Sequence, residues 1–128
     1  MREQWRGVHL NKLPGGGLEL GEGYFECLQR EMDEEFVRSP KSDWQLLYSP
    51  HWAFSSQFKP HEQLILLYFR ATSLVNEEDF DLRTDENLLG LEWLPMVAES
   101  KHWFTMESDR AAFECLLATF PADGSPAQ

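Results

Sequence analysis

Between residues 16 and 35 the chain reads Gly16-Gly17-Leu18-Glu19-Leu20-Gly21-Glu22, then seven residues, then Arg30-Glu31-Met32-Asp33-Glu34-Glu35, a glycine loop feeding an acidic helix. At 100° per residue Glu31, Glu34 and Glu35 stand at i, i+3 and i+4, so their side chains share about a third of the helix circumference. Like charges at that spacing destabilise a helix by roughly 0.2–0.5 kcal/mol per pair, so a neutralising group from outside the helix is expected. Hard divalent cations suit the role. Mg²⁺ and Mn²⁺ prefer oxygen ligands, keep several waters, and are commonly held by one or two carboxylates while bridging to substrate phosphates. Phe25, Leu28, Met32 and Phe36 recur at i, i+3, i+7 and i+11. They predict a helix from about Gly23 to Phe36 with an apolar stripe turned away from the glutamates.

The same string resembles the Nudix box, Gly-x5-Glu-x7-Arg-Glu-apolar-x-Glu-Glu-x-Gly-apolar, through Gly16, Glu22, Arg30, Glu31, Met32, Glu34 and Glu35. Val37 and Arg38 stand where the family usually has a glycine and an apolar residue, which changes the exit from the helix without removing a proposed ligand. The resemblance implies an α/β (α+β) Nudix fold, a mixed β-sheet sandwiched between helices with a catalytic loop-helix-loop. It also implies an Mg²⁺- or Mn²⁺-dependent hydrolase that cleaves the pyrophosphate bond of a nucleoside diphosphate linked to another moiety. Nucleotide sugars, ADP-ribose and nucleoside triphosphates all fit that description.

By the same resemblance Glu31, Glu34 and Glu35 are the metal ligands, with the backbone carbonyl of Gly15 or Gly16 as a further one. Glu34, Glu35 and Arg30 form the catalytic centre, Arg30 orienting the carboxylates with its planar fork of donors. Glu86 occupies the place of the acidic residue that many members use as general base or extra ligand, with Asp85, Glu77 and Glu78 as competitors. Glu22 supports the loop, and Glu19 belongs to the loop pattern. A non-catalytic nucleotide-binding or sensor module is the alternative. Loss of the box carboxylates would mark it, and here all of them are present.

With 128 residues, 42% of them apolar, the chain can bury one core, and a single domain over residues 1–121 with a small polar tail over 122–128 is expected. The net charge of −11 disfavours nucleic-acid backbones and anionic membranes as partners. A metal reverses the local sign, so a small nucleotide substrate remains compatible with the acidity. Cys27 and Cys115 lie far apart without metal-type spacing and read as reduced packing residues. No apolar run approaches the length of a membrane span and no signal-like start is present, so a cytoplasmic protein is expected.

Along the chain, His9 to Leu13 reads as a short extended segment, Trp44 to Tyr48 and Trp52 to Phe58 as strands, and Gln63 to Thr72 as a central strand buried on both faces. Asn76 to Asn87 reads as a loop and Gly90 to Leu94 as a strand. Thr105 is placed to cap a last helix with Glu107 and Asp109 in its first turn, where they complement the helix dipole. Phe113, Leu116, Leu117 and Phe120 form its apolar side. Only about fifteen residues precede Gly16, where Nudix members usually have two strands. A shortened N-terminus, omitted residues, or completion of the sheet by a second subunit in a homodimer would account for that. Arg6 and Lys12, with Arg2, are placed to touch substrate phosphates. Tyr24, Trp52, Phe54 and Phe58 could stack on a base but fit a core better, and His51, His61 and His102 show no ligand spacing.

Overall fold

The computed structural model describes residues 1–56, 59–73 and 75–120. The chain opens on two strands, β1 (Arg2–Trp5) and β2 (Val8–Asn11), joined by Arg6-Gly7. The φ values of these two residues, 50° and 80°, are both positive, as a two-residue hairpin turn of type I′ requires. Helix α1 (Tyr24–Glu35) follows the glycine loop and runs straight into β3 (Phe36–Arg38). Then come β4 (Trp44–Tyr48), β5 (Phe54–Ser55), β6 (Gln63–Leu64), β7 (Tyr68–Ala71), β8 (Asp81–Leu82), β9 (Leu88–Gly90) and helix α2 (Glu107–Ala118). The strands pair as β2-β1-β9, β3-β8, β4-β7 and β5-β6, all antiparallel, which gives an α+β arrangement. No helix among the described residues is long and apolar enough to cross a membrane.

Two strands therefore stand ahead of the glycines where the sequence shows one extended segment. Arginine is an unusual occupant of positive φ, so Arg6-Gly7 carries none of the usual hairpin signal. The expected central strand over Gln63 to Thr72 divides into β6 and β7, with Ile65 82% exposed between them. The β4–β7 register slips between Leu46 and Tyr48, and Ser49 Oγ donates to the Leu66 carbonyl at 2.8 Å just beyond the last pair. A continuous apolar run has no alternation to show where pairing stops. The expected strand over Gly90 to Leu94 lies earlier, as β9. The acidic segment from Asn76 contains a 3-10 turn (Glu77–Asp79) and β8. Of the strand expected over Trp52 to Phe58, Phe54–Ser55 is paired, while Gln57 and Phe58, like the tail after Phe120, lie outside the described residues.

Gly23 is the N-cap of α1, its N–H donating to Glu26 Oε1 at 3.3 Å. At the other end Phe36 is already extended, with φ −120° and ψ 137°. The helix passes directly into a strand, so nothing at Val37 demands the left-handed conformation that glycine supplies at many helix ends. Phe36 is 2% exposed and meets Phe80 edge-on at 5.6 Å, while Phe104 and Phe113 pack at 5.7 Å under α2. Phe25, at the other end of the expected stripe, is 56% exposed, its ring edge-on to Phe69 at 6.1 Å. Phe36→Ala should accordingly cost about 3–5 kcal/mol, seen as a lower urea midpoint at unchanged slope. Phe25→Ala should cost far less in the same measurement.

Thr105 does not cap α2; Met106 is the N-cap. The Thr105 hydroxyl instead accepts the Asn11 N–H at 2.8 Å, and the Thr105 N–H returns a bond to the Asn11 carbonyl at 3.0 Å. Asn11 Nδ2 also donates to the Trp103 carbonyl at 3.0 Å. These bonds fasten the end of β2, where the glycine loop begins, to the start of α2.

Candidate active site

One guanidinium organises the glycine loop. Arg30 Nε and Nη2 grip Glu22 at 3.0 and 2.7 Å, Nη1 reaches Glu31 at 2.9 Å and Glu34 at 3.1 Å, and Nη2 also donates to the Gly17 carbonyl at 2.8 Å. Glu22 in turn accepts the Glu19 N–H at 2.8 Å, which closes the loop onto the helix. The fork holds the Glu22 carboxyl down at about 2. Much of the repulsion among the glutamates is thus relieved from within the helix, contrary to the expectation of an outside group alone. Glu31 and Glu34 lie close to Arg30 in sequence, and Arg30–Glu34 is an ordinary i,i+4 pair. Cys27 Sγ lies 3.7 Å from the Gly17 carbonyl, and burial pushes its thiol up, so it packs as a neutral group.

Glu31 and Glu35 differ from Glu34. The Glu31 carboxylate rests against Gly16 so closely that any Cβ there would overlap it. Glu35 is 8% exposed, and its Oε2 has no partner among the described residues. Burial raises its carboxyl to about 7, with Glu31 and Glu3 acting in the same direction; Lys12 and the Gly15 N–H oppose the shift. A buried carboxylate oxygen without a partner is costly unless a cation or donor comes to it. Glu34 is more than half exposed. No three acid, His or Cys side chains among the described residues converge to metal-binding distances. The donors nonetheless suit a hard divalent cation: carboxylate oxygens beside a loop whose glycines leave the backbone open.

Lys12 is brought to this group. Its Nζ lies 3.3 Å from Glu3 Oε2, and its charge favours ionised Glu35. Arg6 sits at the hairpin tip, at the end of β2 opposite the glycine loop, with its guanidinium 5.6 Å from the centre of the Trp5 ring. Glu86 is exposed ahead of β9, and its carbonyl accepts Gln4 Nε2 at 2.6 Å. Its neighbour Asp85 accepts the Asn87 and Leu88 N–H groups at 2.7 and 2.6 Å, bonds that keep its carboxyl below the usual range and give it a turn-forming task. Glu77 and Glu78 lie in the 3-10 turn, where the Glu78 carbonyl accepts Arg38 Nη2 at 2.8 Å.

Three residues near this group carry no signal in the sequence. Tyr68 OH donates to Asp109 Oδ1 at 2.7 Å and lies 3.0 Å from Ser108 Oγ. Asp109 is 3% exposed, and burial pushes its carboxyl up, while Tyr68 and Lys12 oppose the shift. Lys12 therefore acts on both Glu35 and Asp109, linking the glycine loop to α2. In sequence Asp109 is an ordinary first-turn acid. Among the aromatics considered for stacking, Tyr24 lies 5.9 Å from Phe69 and Trp52 5.6 Å from Phe54. Trp5, which sequence reasoning passed over, is 44% exposed.

A family model described as NUDIX domain matches residues 1–113. No curated protein and no solved structure matches the chain.

Proposed function

The chain belongs to the NUDIX domain family, and we propose that it is a metal-dependent hydrolase cleaving the pyrophosphate bond of a nucleoside diphosphate linked to a further group. The observation that carries this reading is the buried Glu35 carboxylate, its Oε2 without a partner among the described residues, on the same helix as a Glu31 pressed against Gly16. Glu31, Glu34, Glu35 and the Gly16 carbonyl are the residues that would hold Mg²⁺ or Mn²⁺. Such a cation, when bound, offsets phosphate charge and makes water a better nucleophile.

The chain's own residues supply the rest. Arg30 fixes Glu22 and Glu31 and leaves Glu34 exposed, where that carboxylate can exchange one partner for another. Lys12 offers its ammonium to phosphate oxygens beside Glu35. Glu86, exposed and with its backbone anchored to Gln4, takes the general-base role in this reading. Arg6, at the far end of β2, has no part at the phosphates. A cytoplasmic homodimer belongs to the same proposal: free Cys27 and Cys115 support the location, and exposed Leu46 and Ile65 support a second subunit.

A hydrolysis screen over nucleotide sugars, ADP-ribose and nucleoside triphosphates tests the reading. Turnover of at least one class is expected with Mg²⁺ or Mn²⁺, lost on chelation and restored when the metal is returned. Binding without turnover across the whole panel would favour the sensor module instead.

A further inference from the structure

The hairpin carries a second feature next to the carboxylates. Glu3 faces Leu10 and Trp5 faces Val8 across the β1–β2 ladder, so the strand pleat puts Glu3, Trp5 and Leu10 on one face. Over that face lies a cavity of about 450 Å³ that these residues line together with Lys12, Leu64 and Asn87. At one end is the Glu3–Lys12 ion pair, and Lys12 is the cation acting on Glu35. The other end holds the half-exposed indole of Trp5, bordered by Arg6.

The exposed wall is mainly apolar, and most of its polar side chains are already engaged: Glu3 pairs with Lys12, Gln4 Nε2 donates to the Glu86 carbonyl, and Ser56 Oγ accepts the Lys59 N–H, which leaves Asn87. Its backbone is pinned on both sides, the N–H to Asp85 Oδ1 at 2.7 Å and the carbonyl to the Gln4 N–H at 2.8 Å. Its side-chain amide has no partner among the described residues and offers both a donor and an acceptor. A hydroxyl-rich sugar would need several polar partners on such walls. A planar heterocycle needs a flat face to stack on and a few groups for its edge.

We propose that this cavity is the nucleoside subsite: the base stacks on Trp5, its polar edge meets Asn87, and the phosphates pass Lys12 toward Glu31 and Glu35. The identity of the ligand rests on the hydrolase reading above. The size of the cavity and its opening beside Lys12 are independent of that reading.

Calorimetric titration of the full chain with AMP, GMP, CMP and UMP, against ribose 5-phosphate as a base-free probe, tests the subsite without requiring any bond to break. At least one mononucleotide is expected to bind tenfold or more tighter than ribose 5-phosphate. Trp5→Ala should remove roughly five- to hundredfold of mononucleotide affinity and leave ribose 5-phosphate unchanged, whereas Trp5→Phe, which keeps an aromatic face, should retain most of it. Asn87→Asp, which can only accept, should reorder the four bases. Equal affinity for ribose 5-phosphate and every mononucleotide would overturn the subsite, as would parallel losses for both ligand types in Trp5→Ala. Trp5-dependent binding in a chain that hydrolyses nothing would uphold the subsite and sink the hydrolase reading. Hydrolysis with KM for the nucleotide unchanged in Trp5→Ala would sink the subsite alone.

Discussion

Glu35→Gln is expected to lower kcat by about 10²–10⁴-fold while leaving a chain at least as stable as the native one above pH 7. The two halves of this prediction have one cause. Burial raises the Glu35 carboxyl from 4.5 to about 7, so the folded protein, without a bound cation, holds a proton there that the unfolded chain releases. Below pH 4.5 the group is neutral in both states and carries no penalty; as pH rises through 7 that advantage of the folded state is lost, at most about 3 kcal/mol. Glutamine has no charge to bury and avoids this loss. It also presents no anionic oxygen to a cation. Measuring kcat at saturating Mg²⁺ together with the urea midpoint at pH 8 separates the effects. A variant within tenfold of native kcat would remove Glu35 from the catalytic centre, and one that has unfolded would contradict the burial argument.

What the sequence makes legible here follows from the range of each interaction. Glu31, Glu34 and Glu35 are local on one helix, so helix geometry alone aligns them, and the Arg30–Glu34 pair is fixed by the same four-residue spacing. Helix α1 ends within a residue of its expected limits for the same reason. Lys12 joins the group only because β2 delivers it there, and its charge acts on Asp109 although the two are separated by most of the chain. Neither meeting leaves a trace in spacing. Asn87 and Trp5 are brought together by the β1–β9 pairing, whose register slips between Arg2 and Glu3, a detail no local pattern encodes. The apolar run from Leu64 to Phe69 shows the opposite failure. Its composition says burial, yet the hydrogen bond from Ser49 to Leu66 and the end of the β4 pairing leave Ile65 in water.

Gly16→Ala and Gly17→Ala, one residue apart, should behave very differently. A Cβ on Gly16 would overlap the carboxylate of Glu31, whereas a Cβ on Gly17 meets nothing within 4 Å. Glu31 is the flexible end of a side chain, so it can swing aside to admit the methyl group, and the cost in stability should stay below about 1 kcal/mol. The swing breaks its 2.9 Å bond to Arg30 and carries the carboxylate away from the loop. Displacement by even an ångström at a reacting centre can cost about 10²-fold in rate, and a loss of that order in kcat/KM is expected for Gly16→Ala. Part of it should return at high Mg²⁺ if Glu31 is a metal ligand, because mass action offsets a weakened site. Gly17→Ala has room and no left-handed φ to relieve, so it should hold native activity and gain a few tenths of a kcal/mol through the unfolded state. Equal activities for the two variants would mean that the contact between Gly16 and Glu31 has no bearing on the reaction. Loss in Gly16→Ala that no Mg²⁺ concentration relieves would leave Glu31 as a structural partner of Arg30.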